Sequence, residues 1–180
     1  MAEYRLRRAT KDDAERLAAV KSEYIRSLYR GFLPADYLRQ ATAEFYIHEV
    51  NEWMRDDTHV DAMEIDGQIV GYVVYGKSSV EPGCGLIREE AILPVYGRRE
   101  KDTLARWAIR QLTTMGFRTI HLWVLRDNFR VRFLFESIGF RPDGTVRVEP
   151  RDNLELSISR YVYHVPVTGS GRAQEASIER

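Results

Sequence analysis

Cysteine is almost absent from this chain, since Cys84 is the only one among 180 residues. No disulfide can therefore form within the sequence, and a metal cluster held by several thiolates is excluded. The four histidines, at positions 48, 59, 121 and 164, are scattered, and no two of them have the spacing of a helical metal site. We therefore expect no bound metal ion.

The chain also lacks a long apolar run and an excess of charge of either sign. No segment is long and apolar enough to span a bilayer, and the first residues lack the apolar core of a signal peptide. The sequence therefore predicts a cytoplasmic protein without a membrane partner. Lys and Arg number 27 and Asp and Glu also number 27, and the two kinds are mixed along the chain. This balance leaves no basic surface of the kind that binds nucleic acid.

Internal repeats, glycine-rich nucleotide loops and proline- or serine-rich linkers are absent too. A chain of 180 residues suits one hydrophobic core, and we predict a single domain over residues 1–166. Residues 167–180 show no apolar period, so we expect them to form a mobile tail.

Apolar periodicity predicts a mixture of strands and helices. Alternation typical of strands covers residues 4–9, 60–65, 69–75, 86–93, 119–125, 145–149 and 154–164. Asp66 and Gly67 lie between two of these strands and are a strong signal for a tight hairpin. Helical spacing begins after Thr10, continues in a second stretch to about Met54, and returns after Pro94. The predicted fold class is α+β.

The most informative segment is residues 124–140. An apolar strand pattern stops before Asp127 and Asn128, which are both good helix N-caps. Gly139 is expected to end the helix, because glycine readily adopts the left-handed conformation that releases the chain. The segment therefore predicts a strand, a helix and the turn into a further strand.

This segment resembles motif B of the GNAT acyltransferase superfamily. The matching residues are Val124, Asn128, Val131, Leu134, Phe135, Gly139 and Phe140. In most members a tyrosine occupies the position of Phe135, and its hydroxyl protonates the departing CoA thiolate. A phenyl ring has no proton to donate. The resemblance covers about residues 3–164, and it implies one domain with a mixed, mostly antiparallel sheet of about six or seven strands flanked by about four helices.

Residues 91–105 resemble the cofactor loop of the same family in their scaffold. In the family, a Gln/Arg-x-x-Gly-x-Gly/Ala loop holds the CoA pyrophosphate with bare backbone N–H groups. Alignment on Pro94 places Gly97, Glu100 and Asp102 at the three motif positions, so two carboxylates stand where the phosphates would bind. Acids in a first turn are also favoured by the helix dipole, and we prefer that interpretation of the loop.

The resemblance implies acetyl-CoA or another acyl-CoA as the cofactor, although a protein without a cofactor remains an alternative. Basic side chains in the loop would offset its acids, and backbone amides near the end of the fourth strand would hold the pantetheine arm. The predicted cofactor-binding residues are Ile92, Leu93, Arg98, Arg99, Lys101, Thr103, Asn128 and Phe135.

The family places its acceptor cleft between the first two helices and the splayed fourth and fifth strands. Glu89 and Glu90 are adjacent, so they point to opposite faces of the fourth strand and only one is expected to face the cleft. A carboxylate there deprotonates an amine if desolvation raises its pKa. His121 and Trp123 share a face of the fifth strand, and they either cover a packed helix or line the cleft. Glu89, Glu90 and His121 are the predicted catalytic residues.

Aromatic residues are dense in the first helical pair and suit a pocket for an apolar or aromatic ligand. We assign Tyr24 and Phe45 to the core, because aromatic side chains at helical spacing are usually buried. The predicted substrate-pocket residues are Tyr29, Tyr46 and Trp123.

Three functions fit these patterns. The first is an acyl-CoA-dependent N-acyltransferase that acts on a small molecule. The second is a CoA-independent enzyme that reuses the GNAT cleft, such as a cyclase or a tailoring enzyme of specialised metabolism. The third is a non-catalytic module that pairs with another subunit through its sheet edge or tail, and a homodimer is compatible with any of the three.

Overall fold

A computed structural model describes residues 4–31, 33–55, 58–151 and 154–166. The predicted tail at residues 167–180 lies outside this part of the chain. Strands within it are β1 (Tyr4–Arg8), β2 (His59–Ile65), β3 (Gln68–Lys77), β4 (Gly85–Ile92), β5 (Thr119–Leu125), β6 (Arg141–Arg151) and β7 (Leu154–His164). Helices within it are α1 (Ala14–Leu28), α2 (Ala35–Gln40), α3 (Ala43–Trp53), α4 (Arg98–Thr114) and α5 (Phe129–Ile138), with a 3-10 turn (Lys11–Asp13) before α1.

The strands form one sheet in the order β1-β2-β3-β4-β5-β7-β6. Every neighbouring pair is antiparallel except β4 and β5, which run parallel. The α+β class and the mixed, mostly antiparallel sheet are therefore confirmed. The short helix α2 precedes α3, which ends close to the predicted Met54. None of the helices in the described residues is long and apolar enough to cross a bilayer.

The parallel pair β4 and β5 separates almost as soon as it forms. The two strands are paired only at Gly85 with Ile120 and at Leu86 with His121. Beyond Leu86 the backbones diverge, so the rest of β4 has no strand partner on that side. This divergence opens a cleft in the middle of the sheet.

Helices cover both faces of the sheet. On one face, α4 and α5 pack through Leu104, Leu112 and Leu134 onto a core that includes Val73 and Ile92. On the other face, α1 and α3 bury Leu17 and Val50 against Tyr72, Val74 and Ala91. Alternate residues of β3 and β4 therefore belong to different cores, as the two-residue period of a strand requires.

Local signals in the sequence explain the turns and helix ends around this sheet. Asp66 and Gly67 both have positive φ, at 52° and 74°, which is the conformation of a tight two-residue hairpin. The side chain of Asn128 accepts a hydrogen bond from the Val131 N–H at 3.2 Å and caps α5. Gly139 ends the same helix with a φ of 119°. The predicted hairpin, cap and helix end are confirmed.

Gly71 allows β3 to pass closely beneath α4. A Cβ atom at this position would lie 2.9 Å from the Ala91 carbonyl oxygen and 3.1 Å from both Ile92 Cγ1 and Leu104 Cδ1. Backbone and buried side chains cannot easily move away, so an added methyl group would strain the core.

We predict that Gly71→Ala lowers the free energy of unfolding by about 2 kcal/mol, through overpacking. Gly97→Ala is the matched control, since a Cβ there would meet only Glu100 Oε2, at 3.8 Å. Urea denaturation of both variants measures the difference. Equal losses in the two variants would show that the contact under α4 is not tight.

Candidate active site

Two cavities meet at the cleft between β4 and β5. The first, of about 440 Å³, lies along the diverging strands and is called the strand cavity. The second, of about 720 Å³, lies between the first turns of α4 and α5 and is called the helix cavity. The two share six lining residues and are therefore adjacent: Tyr24, Leu28, Lys101, Asn128, Val131 and Leu134.

Glu89 and Glu90 both line the strand cavity. They do point to opposite faces of the sheet, since Glu89 lies opposite Val74 and Glu90 opposite Val73, which belong to different cores. The expectation that only one of them faces the cleft is wrong. Because β5 leaves β4 after Leu86, the cleft passes through the sheet and is open to both faces of β4.

Glu90 carries the most perturbed carboxyl group of the cleft. Its Oε2 atom is buried and has no hydrogen-bond partner among the described residues. Burial raises the pKa of Glu90 to about 8, the positive charge of Lys101 opposes this rise, and the negative charge of Asp102 adds to it. A carboxyl group that titrates near neutral pH is suited to accept a proton during a reaction.

Lys101 lies where the two cavities join. It belongs to the first turn of α4, and its Nζ atom lies 5.0 Å from the centre of the Tyr24 ring. Burial lowers the pKa of Lys101, the carboxylate of Glu90 raises it, and the charge of Arg130 lowers it again. Burial and the carboxylate of Glu90 raise the pKa of Tyr24, so its phenol remains protonated at neutral pH.

Glu89 belongs to a different group, which is centred on the buried Lys21. The Lys21 ammonium lies 2.7 Å from Glu89 Oε2 and 2.9 Å from Glu49 Oε2. It also lies over the ring of Trp53, 4.6 Å from the ring centre. The Tyr72 hydroxyl donates a further hydrogen bond to Glu89. These contacts hold Glu89 in place, so it is a weaker candidate for a mobile proton acceptor than Glu90.

The start of α4 shows what the two acids of the altered loop do. The Gly97 N–H donates a hydrogen bond to Glu100 Oε2 at 3.0 Å, so the Glu100 carboxylate is the acceptor for a backbone amide at the helix N-terminus. Asp102 forms an ion pair with Arg106, one turn later, at 2.7 Å. Both contacts fit the interpretation that the acids stabilise the helix.

The helix cavity is nevertheless rich in positive charge. Four basic residues and one acid line it: Arg30, Arg98, Lys101, Arg130 and Asp127. Arg99 and Thr103, both predicted as cofactor-binding, do not line either cavity, and the Thr103 hydroxyl donates to the Arg99 carbonyl at 2.9 Å. Phe135 lines the strand cavity, and Asn128 lines both.

The end of β4 offers one backbone group to the cleft. The Leu93 N–H donates to the Val70 carbonyl at 2.8 Å, and the Leu93 carbonyl accepts from the Tyr96 N–H at 3.0 Å. Leu93 is therefore engaged within the protein. Hydrogen bonding alternates along an antiparallel strand, so the N–H of Ile92 points away from β3 and towards the cleft.

Two assignments of aromatic residues are corrected by the structure, and a third is extended. Tyr46, predicted to line the substrate pocket, is 2% exposed and lies in the core between α1 and α3. Tyr24, assigned to that core, packs against it and also lines both cavities. Phe45, also assigned to the core, is 58% exposed. Each of these positions depends on how its helix is rotated about its own axis. The helical spacing of a single segment does not specify that rotation.

The other predicted site residues separate into two groups. Tyr29 and Trp123 line the strand cavity, where the Arg147 guanidinium lies over the Trp123 ring, 4.0 Å from its centre. His121 is buried but lines neither cavity. Its pKa is lowered, first by burial and then by the charge of Arg160. A proton-transfer role for His121 in the cleft is not supported by this position.

Sequence reasoning missed Lys21, Arg130 and Arg147. A signal was present for Lys21, because it follows Leu17 by four residues and therefore lies on the apolar side of α1. A lysine on a buried helix face requires a carboxylate partner from elsewhere in the fold. No comparable signal marks Arg130 or Arg147, because the chain is rich in exposed arginine.

Comparison with known proteins is consistent with this architecture. The profile of the acetyltransferase (GNAT) family matches residues 22–140. The chain belongs to the GNAT acetyltransferase family. A search of curated proteins finds no significant match to the sequence.

Several solved GNAT structures share the fold at low sequence identity. A GCN5-related N-acetyltransferase of Rhodopseudomonas palustris aligns with a TM-score of 0.75 and 16% identity, over 92% of this chain and 98% of the other. The PaiA N-acetyltransferase of Thermoplasma acidophilum, solved with coenzyme A, has a TM-score of 0.67 and 18% identity, over 89% and 99%. YncA of Salmonella typhimurium, solved with acetyl-CoA, has a TM-score of 0.67 and 16% identity, over 96% and 99%.

Within this GNAT protein, we predict that Lys21→Met lowers the free energy of unfolding by about 2 kcal/mol. The change leaves Glu89 without its cation, and the partial exposure of Glu89 reduces the loss below that of a fully buried pair. Lys77→Met, at an exposed lysine of β3, is the control and should change stability by less than about 0.5 kcal/mol. Denaturant titration checks both. The double variant Lys21→Met/Glu89→Gln should be less destabilised than Lys21→Met, and an equal or larger loss would contradict the charge argument.

Proposed function

We propose that this GNAT protein transfers an acyl group from an acyl-CoA to the amine of a small molecule, with Glu90 as the base. The observation that carries the proposal is the buried Oε2 atom of Glu90 at the wall of the cleft, which has no hydrogen-bond partner in the described part of the chain. An unpaired buried carboxyl oxygen is costly, and it is expected where a substrate group completes its hydrogen bonding.

The residues around the helix cavity fit an acyl-CoA. Arg30, Arg98 and Arg130 supply positive charge between the first turns of two helices, where phosphate groups are favoured. The outward-facing N–H of Ile92 is available at the diverging edge of β4 for an amide of the pantetheine arm. Phe135, in the wall of the adjacent strand cavity, gives an apolar surface for the acyl end of the bound acyl-CoA.

The mechanism follows from what these groups can do. Bound acyl-CoA supplies a thioester whose carbonyl carbon accepts the amine, so that a C–N bond forms as the C–S bond breaks. Glu90 takes the proton from the substrate ammonium, which makes the nitrogen nucleophilic. The walls of the cleft orient the amine and keep bulk water away from Glu90.

The strand cavity indicates the kind of amine. Part of its wall is apolar or aromatic, with Tyr29, Tyr37, Trp123, Leu156 and Ile158, beside charged residues that include Arg88, Arg147 and Glu149. Such a wall binds an apolar or aromatic body and leaves recognition of the amine to the glutamates. The proposed acceptor is therefore a small amine with an apolar or aromatic body.

A CoA-independent enzyme is the second candidate, and one observation favours it. The Gly97 N–H at the start of α4 already donates to the Glu100 carboxylate, and the negative charge of that carboxylate disfavours binding of a pyrophosphate there. Release of CoA thiol from acetyl-CoA, measured with a panel of small aromatic and aliphatic amines, tests the choice. Amine-dependent thiol release supports acyl transfer, and no release with any amine favours the second candidate.

We predict that the pH dependence of acyl transfer follows the ionisation of Glu90. A base must be deprotonated, so kcat/KM should rise about tenfold per pH unit below pH 8 and level off above it, since the pKa of Glu90 is about 8. Glu90→Gln should lower kcat by about 100-fold and remove this rise. Glu44→Gln, at an exposed glutamate of α3, is the control. An unchanged profile in Glu90→Gln would assign the base to another group.

We also predict that Glu100→Gln strengthens CoA binding by about threefold to tenfold. Glutamine keeps an acceptor for the Gly97 N–H and removes a negative charge that, at about 6 Å, costs about 3 kcal/mol before screening. Equilibrium dialysis with CoA measures the change, with Glu44→Gln as the control for a remote charge. Unchanged or weaker binding in Glu100→Gln would place the pyrophosphate away from the first turn of α4.

A further inference from the structure

The proposed reaction requires a proton that Phe135 cannot supply. When the C–S bond breaks, the sulfur leaves as a thiolate, and protonation makes it a better leaving group. Phe135 occupies the wall of the strand cavity with a phenyl ring that packs edge-on against Phe140, 5.5 Å between ring centres. Another acid of this chain must therefore lie close to the same cavity, or water must act.

Lys101 is the charged donor at the junction of the two cavities. An acyl-CoA that extends from the helix cavity into the strand cavity must pass the residues shared by both, and Lys101 is the only basic side chain among those six. Its ammonium is held over the Tyr24 ring rather than in bulk water. The other basic residues of the helix cavity do not line the strand cavity, where the acyl group would lie.

We propose that Lys101 is a catalytic residue of this protein, which donates to the departing thiolate the proton that other GNAT proteins take from a tyrosine. The inference rests on the proposed acyl transfer. It assigns Glu90 and Lys101 as a base and an acid on opposite walls of one cleft.

Protons and electrons balance in this scheme. The substrate nitrogen loses two protons. Glu90 takes the first from the ammonium, the amine then uses its electron pair to form the C–N bond, the electron pair of the C–S bond goes to sulfur, and the second proton leaves the acylated nitrogen for water. Lys101 then gives one proton to sulfur and becomes a neutral amine. Transfer of a proton from Glu90 to Lys101, directly or through water, restores both groups, and the one proton released to water is the net proton of the reaction.

The surroundings of Lys101 suit an acid. Glu90 from β4 faces it, Tyr24 from α1 lies beneath it, Arg130 from α5 adds a like charge, and Asp102 follows it on α4. Burial and Arg130 together lower the pKa of Lys101, while Glu90 raises it. A lysine with a lowered pKa gives up its proton more readily than an exposed one.

A phosphate contact is the alternative role for Lys101, and kinetics separate the two. An acid should affect kcat, whereas a phosphate contact should affect the affinity for acyl-CoA. Lys101→Arg is the sharpest variant, because arginine keeps the positive charge but does not release a proton. We expect Lys101→Arg and Lys101→Met both to lower kcat by about 100-fold, with the KM for acyl-CoA changed by less than about fivefold in Lys101→Arg.

Restoring the missing phenol supplies a second test. The double variant Lys101→Met/Phe135→Tyr should have a kcat at least about tenfold above that of Lys101→Met, because a tyrosine hydroxyl replaces the lost donor. Lys77→Met is the control and should match the starting protein. A loss of CoA affinity without a loss of kcat in the Lys101 variants, together with no rescue by Phe135→Tyr, would overturn the inference in favour of a phosphate contact.

A titration of the free protein provides a readout that does not depend on turnover. The only lysines of the chain are Lys11, Lys21, Lys77 and Lys101, so ¹³C-methylated lysine resonances can be assigned by substitution. Lys101 should titrate below the ordinary pKa of lysine, and Glu90→Gln should lower the pKa of Lys101 further, because it removes the charge that raises it. Titration of Lys101 at the ordinary pKa of lysine would overturn the inference.

The outcomes separate this inference from the function on which it rests. If the starting protein acylates amines and Lys101→Arg does so equally well, only the role of Lys101 is wrong. If the starting protein releases no thiol with any amine, the proposed acyl transfer fails, and the assignment of Lys101 as its acid fails with it.

Discussion

The early separation of β4 from β5 is the constraint on which the rest of the site depends. Two residue pairs join these strands, and beyond Leu86 the edge of β4 is open. A strand edge inside a sheet normally finds a partner, because unpaired amides are costly. Here the edge forms the wall of a cleft, and helices from both faces supply its other walls. The position of Glu90, the outward N–H of Ile92 and the adjacency of the two cavities all follow from this separation.

Two charged groups near this cleft, the Lys21 ammonium and the Glu90 carboxylate, differ in the partners that the fold provides for them. Lys21 is satisfied by Glu89 and Glu49 and by aromatic rings, which makes it part of the framework. Within the residues that the structure describes, Glu90 has a buried oxygen without a hydrogen-bond partner, and only the charge of Lys101 favours its ionised form. Satisfied charges rigidify a protein, while unsatisfied ones keep their capacity to exchange protons. The difference explains why two adjacent glutamates have different roles in this account.

Local features could be predicted from the sequence, while the walls of the site depended on distant segments. The hairpin at Asp66 and the cap at Asn128 each follow from a few neighbouring residues, and both were predicted correctly. The joint exposure of Glu89 and Glu90 could not be predicted, because it depends on where a strand about thirty residues later leaves β4. Tyr46 was misplaced for a related reason, since the rotation of α3 is decided by its packing against α1 and the sheet.

Calorimetric titration of the full chain with acetyl-CoA, without an acceptor amine, tests most directly whether this cleft is a cofactor site despite its altered loop. The account predicts heat that saturates at one equivalent with a dissociation constant in the micromolar range, and a higher Tm at the same ligand excess. Absence of both heat and a Tm shift at millimolar acetyl-CoA would contradict it. The basic helix cavity would then serve another anion, and the acid and base of the cleft would act on a substrate that carries no CoA.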